Sequence, residues 1–263
     1  MSTVTSKDGT TIAFDQSGHG PSLILVGGAL SDRSAATPLA ALLAPHFTVF
    51  AFDRRGRGDS GDTPPYTVAR EVEDIAALII KAGGSAFVYG MSSGAVLALE
   101  AANHRLSITK LALYEPPFIL DDTRPQVPSD YVSHLTELVA AGRRGDAVEY
   151  FMTDAVSVPA DMVAQMRQTP MWPAMEAVAH TLPYDGAIMG GTMSGKPLPD
   201  NRWPSVTIPT LVMDGGDSPA WMRHAAQSLA NILPAAQRRT LPGQTHAVAP
   251  NVLAPILTEF FLG

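Results

Sequence analysis

Short apolar runs alternate along the chain with longer stretches in which apolar residues recur at helical spacing. Seven runs have the length and flanking turn residues of strands, and they cover residues 11–14, 23–26, 48–53, 86–90, 110–115, 210–215 and 237–241. Several are continuously apolar, which is typical of strands buried on both faces of a sheet. Helical patterns lie between or after them, at residues 34–43, 68–81, 94–103, 219–233 and 251–261. This alternation predicts an α/β fold with a mostly parallel sheet flanked by helices.

The alternation breaks between about residues 116 and 209, where prolines are frequent and helical patterns occur at 129–141 and 147–152. We interpret residues 117–204 as a helical cap inserted into a core formed by residues 1–116 and 205–263. Seven of the eleven methionines lie in this segment, as does Trp172. They either pack the cap against the core or face a cleft, where flexible thioethers suit an adaptable apolar pocket.

Composition narrows the possible partners and sites. Hydrophobic residues make up 46% of the 263 residues and the net charge is -7, without a block of Lys or Arg. A sizeable core is therefore expected, and a nucleic-acid partner is not. There are no cysteines, which excludes disulfides, thiolate metal sites and a cysteine nucleophile. The polar N-terminus and the absence of a long apolar run predict a cytoplasmic protein without a membrane partner; the pattern predicts no particular oligomeric state.

A nucleophile motif occupies residues 90–94, which read Gly-Met-Ser-Ser-Gly. The sequence Gly-x-Ser-x-Gly, placed between a buried strand and a helix, forms the nucleophile elbow, in which side chains two residues before or after the serine would clash. The helix that follows favours negative charge near the serine oxygen. We interpret Ser92 as the nucleophile, and the alternative is an ordinary glycine-rich turn.

With this motif, four further segments resemble the α/β-hydrolase superfamily, specifically the capped serine hydrolases that include esterases, lactonases and cofactor-free haloperoxidase-like enzymes. The resemblance implies an α/β-hydrolase fold with a mostly parallel eight-stranded sheet flanked by helices, and a helical cap insertion. It also implies a role for each segment. Residues 23–29 form the oxyanion strand and loop, 53–60 a structural loop whose Arg and Asp side chains pair with each other, 210–219 the penultimate strand and its loop, and 243–246 the histidine loop. A serine at position 92 argues against the dehalogenases and epoxide hydrolases of this superfamily, which use a carboxylate nucleophile.

The base and the acid follow from the family order of serine, acid and histidine. His246 follows the last strand pattern and precedes the last helix, so we interpret it as the base. Many relatives carry the acid as an Asp three residues after the glycine that ends the penultimate strand, but here Ser218 holds that position and Asp217 lies one residue early. Some relatives place the acid at the end of the strand after the nucleophile helix, where this chain has Glu115. We favour Glu115 and keep Asp217 as the alternative acid.

The oxyanion hole needs two backbone N–H groups near the nucleophile. One is expected from Ser93, the residue after the nucleophile. The other is expected from Gly28 or Ala29, because paired glycines after residues 23–26 let the backbone approach a substrate closely. The alternative for this second segment is a plain tight turn.

Another glycine pattern is misleading. Residues 56–61 match the dinucleotide fingerprint Gly-x-Gly-x-x-Gly, but Pro64 and Pro65 separate them from the next helical pattern, whereas the fingerprint opens a helix directly. No sequence resembles a His-Glu-x-x-His metal motif either. We therefore expect neither a nucleotide, nor another cofactor, nor a metal.

The sequence thus predicts a serine hydrolase that cleaves a carboxylic ester or lactone through an acyl-enzyme on Ser92, with a small apolar or aromatic substrate. The alternatives are other reactions of the same triad, namely perhydrolysis, carbon–carbon bond hydrolysis or a lyase reaction, and a non-catalytic binder of a small ligand.

Overall fold

A single eight-stranded sheet forms the centre of the computed structural model, which describes residues 1–263. The strands lie in the order β1-β2-β4-β3-β5-β6-β7-β8. Their bounds are Ser2–Thr5 (β1), Thr11–Gly18 (β2), Ser22–Val26 (β3), Thr48–Phe52 (β4), Ala86–Met91 (β5), Ile108–Tyr114 (β6), Thr210–Gly215 (β7) and Ala236–Leu241 (β8).

Only the amino-terminal edge of the sheet is antiparallel. Strand β2 runs antiparallel to both β1 and β4, and all the other neighbours are parallel. The predicted α/β-hydrolase fold with a mostly parallel eight-stranded sheet is confirmed. The sequence pattern named seven strands and missed β1, because its four residues are polar or half-exposed and bury no apolar face.

Helices cover both faces of the sheet. On one face pack α2 (Val68–Lys81), α3 (Ser93–Asn103) and α9 (Ala220–Ile232), and on the other α1 (Thr37–Leu43) and α10 (Pro250–Leu262). Nine residues of α3 are buried, because this helix lies between the sheet and its neighbouring helices. Its sequence, rich in Ala, Val and Leu, is apolar all round, as a fully buried helix must be.

Five more α-helices lie between β6 and β7. They are α4 (Tyr131–Ala140), α5 (Arg144–Tyr150), α6 (Ala160–Met166), α7 (Trp172–Val178) and α8 (Leu182–Met189), and we call residues 117–204 the insertion. The insertion contributes nearly all the residues of a separate apolar cluster, whose nine buried members include Leu135, Val163 and Trp172. Ile188 and Met189 of α8 belong instead to the main core. The division into core and cap at residues 117 and 204 stays a prediction.

The topology brings several strand ends together. Because β3, β5, β6, β7 and β8 are parallel neighbours, the loops that follow them meet at the carboxyl edge of the sheet. The insertion also begins there, after β6. None of the helices is long and apolar enough to cross a membrane.

The central strands should carry most of the packing energy. Leu113 on β6 is completely buried, so Leu113→Ala should lower the free energy of unfolding by about 2–5 kcal/mol. Leu42 on α1 is 45% exposed, and Leu42→Ala should change the free energy of unfolding by less than about 1 kcal/mol. Urea denaturation of the two variants measures the difference, and equal losses would contradict this description of the core.

Candidate active site

Ser92 lies in the turn between β5 and α3, with its backbone in an unusual conformation. Its φ of 57° and ψ of -128° fall outside the regions that L-residues normally occupy. Such a conformation costs on the order of 1–3 kcal/mol and persists only where its surroundings enforce it. Part of that enforcement is a hydrogen bond of 2.9 Å from the Ser92 N–H to the carbonyl of Tyr114 on β6.

Two glycines make the turn possible. A Cβ on Gly90 would lie 2.7 Å from the Cα of Ala95 and would collide with the carbonyl oxygen of Gly94. A Cβ on Gly94 would collide with the carbonyl oxygens of Val26 and Gly27. All of these neighbours are backbone atoms, which cannot move aside easily. The helix can therefore start directly beside β5 and β3 only because both positions are glycine.

The carboxyl end of β6 places a carboxylate beside His246. Glu115 follows β6, is completely buried, and accepts a hydrogen bond of 2.8 Å from Nδ1 of His246 through its Oε2. Its Oε1 accepts one of 2.7 Å from the backbone N–H of Gly215 at the end of β7. The histidine loop is held in turn by the Tyr114 hydroxyl, which donates to the carbonyl of Thr245 at 2.6 Å.

The surroundings of Glu115 favour its ionised form. Burial on its own raises the pKa of this carboxyl group, but the hydrogen bonds from His246 and Gly215 contribute to a net pKa below the ordinary value. A carboxylate at this position can hold the proton on Nδ1 and leave Nε2 of the imidazole free to accept one.

Asp217, the other candidate acid, makes no hydrogen bond or ion pair with His246, whose ring binds Glu115. Its side chain is exposed, and its backbone N–H donates to the carbonyl of Gln244 at 2.9 Å. Ser218, at the position where relatives carry the acid, is buried. The structure therefore brings Glu115, and not Asp217, to the histidine.

The predicted oxyanion groups lie around the same turn. The N–H groups of Gly28 and Ala29 make no hydrogen bond within the protein. Ser93 is the first residue of α3, so its N–H has no partner within the helix. A Cβ on Gly28 would lie only 3.0 Å from the Cβ of Ser92, which shows how closely the loop after β3 approaches the serine.

A cavity of about 510 Å³ opens at this edge of the sheet. Ser92 and His246 both line it, as do Gly28, Ala29 and Ser93. Of its 34 lining residues 22 are hydrophobic, and six are methionines: Met91, Met152, Met175, Met189, Met193 and Met222.

The methionines of the insertion divide into two groups. Four of the seven face the cavity, whereas Met162 and Met171 are more than half exposed and Met166 packs against the insertion's own cluster. Trp172 is buried in that cluster and does not line the cavity. Across the chain, no group of three or more His, Asp or Glu side chains is arranged to hold a metal ion.

The expectation that the Arg and Asp side chains of residues 53–60 pair with each other was wrong. Instead of pairing within the loop, the arginines reach carboxylates on other elements. Arg54 pairs with Glu71 and Asp185, and Arg57 also pairs with Asp185. In the same way Arg55 pairs with Asp74 and Asp8.

The reason for this difference is burial. All three arginines are at most 2% exposed, so each needs a carboxylate partner, and Asp53 and Asp59 of the same segment pair with Arg33 instead. Sequence reasoning missed Asp185 because a single Asp in a helical pattern gives no signal of a partner more than a hundred residues away.

Comparison with known proteins agrees with the α/β-hydrolase fold of the structure. Residues 19–255 match the profile described as the Alpha/beta hydrolase family. The crystal structure of an alpha/beta hydrolase from Sphaerobacter thermophilus DSM 20745 is 63% identical, with a TM-score of 0.92 over 99% of this chain and 100% of that one. The enol-lactonase from Burkholderia xenovorans LB400 shares the fold at 21% identity, with a TM-score of 0.72 over 100% of both chains.

A curated relative matches over a shorter range. The pimeloyl-[acyl-carrier protein] methyl ester esterase of Xanthomonas campestris pv. campestris is 36% identical over 101 residues, which are 38% of this chain and 38% of the relative. The chain thus spans about 38% of the length of that relative. The profile match and the Sphaerobacter structure both extend over nearly the whole chain, and the chain therefore belongs to the α/β hydrolase family.

Proposed function

We propose that this protein is a serine hydrolase that cleaves uncharged carboxylic esters or lactones at Ser92. The observation that carries the proposal is the hydrogen bond between buried Glu115 and His246, on the wall of the cavity that also exposes the strained Ser92. A serine hydroxyl is a weak nucleophile until a base takes its proton, and an oriented histidine is the base most often used.

The reaction would proceed in two halves. Nε2 of His246 accepts the Ser92 proton as Oγ attacks the carbonyl carbon, and Glu115 stabilises the imidazolium that forms. The N–H groups of Ser93 and of Gly28 or Ala29 stabilise the negative charge on the carbonyl oxygen. His246 then protonates the leaving alcohol, and an acyl-enzyme remains. His246 then deprotonates a water that attacks this ester, and it returns the proton to Oγ of Ser92 as the bond to the acyl group breaks and the acid leaves.

The charged residues that line the cavity support the proposal of an uncharged substrate. These residues are Asp32, Arg33, Asp185 and, when protonated, His246. Arg33, the only permanent cation among them, is already paired with Asp15, Asp53 and Asp59. A substrate carboxylate would therefore enter an apolar cavity that offers it no free cation, which is costly.

The methionines support a small to medium apolar group on the substrate. Unbranched thioether side chains adapt to different shapes, so one cavity of this volume can accept several acyl or alcohol groups. The Xanthomonas relative is named for activity on a methyl ester, and the structurally similar Burkholderia protein for activity on an enol-lactone. Both names fit the ester or lactone class.

Covalent labelling tests the nucleophile. A fluorophosphonate should add one adduct to the wild-type protein, because its oxygen resembles the oxyanion of the reaction, and Ser92→Ala should abolish it. Ser133→Ala, which removes an exposed hydroxyl on α4, should retain the adduct. Intact-protein mass spectrometry measures both. No adduct on the wild type would refute the hydrolase proposal, and an adduct without turnover of any ester would indicate a binding protein.

Removal of either candidate carboxylate tests the acid. Glu115→Gln should lower kcat by on the order of 10³–10⁴-fold, because the amide no longer fixes the tautomer or stabilises the imidazolium. Asp217→Asn should stay within about twofold of wild type, since its side chain is exposed. Steady-state kinetics with p-nitrophenyl butyrate gives both values, and a small effect of Glu115→Gln would remove Glu115 from the mechanism.

A pair of esters tests the charge preference. kcat/KM should be about tenfold or more lower for p-nitrophenyl hemisuccinate than for p-nitrophenyl butyrate, because the cavity has no free cation for the second carboxylate. The rates of alkaline hydrolysis of the two esters correct for their intrinsic reactivity. Equal corrected values would contradict the preference for uncharged substrates.

A further inference from the structure

Four buried charges, which we call the charge cluster, lie directly beside the turn that carries Ser92. Arg54 and Arg57 come from the loop after β4, Glu71 from α2 and Asp185 from α8, and none is more than 4% exposed. Two positive and two negative charges balance within the cluster. An unpaired ion at such depth costs several kcal/mol, so the four groups are stable only together.

Asp185 joins the two arginines. Its Oδ1 accepts a hydrogen bond from Nη1 of Arg54 and its Oδ2 one from Nη2 of Arg57, both at 2.7 Å. Glu71 binds the other edge of Arg54 at 2.7 and 2.8 Å. Burial alone raises the pKa of Asp185, but the charges of Arg57 and Arg54 lower it below the ordinary value, so the carboxylate is ionised at neutral pH.

The same arginines hold the loop after β3. Nη1 of Arg57 donates to the carbonyl of Gly28 at 2.5 Å, and Nη1 of Arg54 to the carbonyl of Gly27 at 3.3 Å. The Gly28 carbonyl shares a planar trans peptide with the N–H of Ala29, and the Gly27 carbonyl shares one with the N–H of Gly28. In a trans peptide the two groups point in opposite directions. Fixing each carbonyl toward an arginine therefore directs each N–H away from the charge cluster.

Asp185 also contacts the other side of the predicted oxyanion hole. The hydroxyl of Ser93 donates a hydrogen bond to its Oδ1 at 2.7 Å. The N–H of Ser93 is the oxyanion donor expected from the nucleophile turn. One carboxylate from the insertion is thus linked to all three N–H groups that are candidates for stabilising the oxyanion.

We infer that Asp185 is a positioning residue, which holds the N–H groups of Gly28, Ala29 and Ser93 in the geometry that binds the oxyanion. The inference rests on the proposed function, because it assigns a task to one residue of that same site. It gives the insertion a role in the chemical step in addition to its role as a wall of the cavity. The role is electrostatic and indirect, since Asp185 acts through Arg54, Arg57 and Ser93.

A pair of matched variants tests this inference. Asp185→Asn keeps the shape of the side chain and removes its charge. Asp74→Asn makes the same change at a carboxylate that is equally well buried, at 1% exposure. Asp74 binds Arg55 at 2.7 and 2.8 Å, and Arg55 belongs to the same loop as Arg54 and Arg57 but makes no hydrogen bond to the loop after β3. Both variants should lower the melting temperature, because each leaves a buried arginine without its carboxylate. Asp74→Asn therefore controls for effects on activity that come from lost stability alone.

The kinetic readout separates positioning from stability. Asp185→Asn should lower kcat for p-nitrophenyl butyrate by about tenfold to a hundredfold and weaken inhibition by an alkyl boronic acid in parallel, while KM changes by less than about threefold. Asp74→Asn should leave kcat and the inhibition constant within about twofold. Equal kcat values for the two folded variants would overturn the inference.

Two further measurements keep the test decisive. If Asp185→Asn does not fold, Ser93→Ala replaces it, and an unchanged kcat and boronic acid affinity in that variant would overturn the inference. The amide resonances of Gly28, Ala29 and Ser93 should shift in Asp185→Asn but not in Asp74→Asn, and this readout needs no turnover. A wild-type protein that neither labels at Ser92 nor hydrolyses esters would instead refute the proposed function.

Discussion

The whole site depends on how closely α3 approaches the sheet at its first turn. The approach is possible only because neither Gly90 nor Gly94 carries a side chain, and it leaves Ser92 with a backbone that few other surroundings would tolerate. The same closeness places the start of α3 beside the loop after β3. Ser92, the start of α3 and the loop after β3 thus share one constraint, and a methyl group on Gly90 or Gly94 would disturb all three.

Around this turn, buried polar groups are arranged in two layers. The first contains buried Glu115 and half-buried His246, and the histidine lines the cavity. The second is the charge cluster, which lies against the backbone of the turn and of the loop after β3. Glu115 and the charge cluster place ionised groups where water is largely excluded, and there fixed charges and dipoles act more strongly than they would in solvent. The apolar frame of the sheet and helices makes that exclusion possible.

Much of the fold and of the candidate site could be predicted from the sequence, because the patterns that indicate them lie within short segments of the chain. Apolar periodicity predicted seven of the eight strands, and the Gly-x-Ser-x-Gly motif predicted the strand, turn and helix at Ser92. The preference for Glu115 over Asp217 came from a family resemblance, and it agrees with the hydrogen bond to His246; the catalytic roles themselves stay predictions. The position of Glu115, at a strand end beside the nucleophile strand, was the local signal that supported it.

The buried ion pairs could not be predicted, because their partners lie far apart along the chain. Glu71 and Asp74 lie within the predicted helix of residues 68–81, and nothing in that helical pattern indicates that both carboxylates pair with arginines of the loop after β4. Asp185 gave no signal at all. A buried ion pair depends on how elements dock in space, and hydrophobic periodicity contains no information about which carboxylate each arginine will meet.

The contact between Arg54 and Asp185 has a consequence for folding. Its partners are 131 residues apart, so it can form only after the insertion docks on the sheet. Until then two arginines beside the nucleophile turn have one carboxylate between them, and a core that closed over them would carry an unbalanced positive charge. A core that closes before the insertion docks is therefore disfavoured, because the ion pairs of Asp185 link docking of the insertion to burial of the two arginines. The polar groups around Ser92 would then reach their final arrangement only once the insertion has docked.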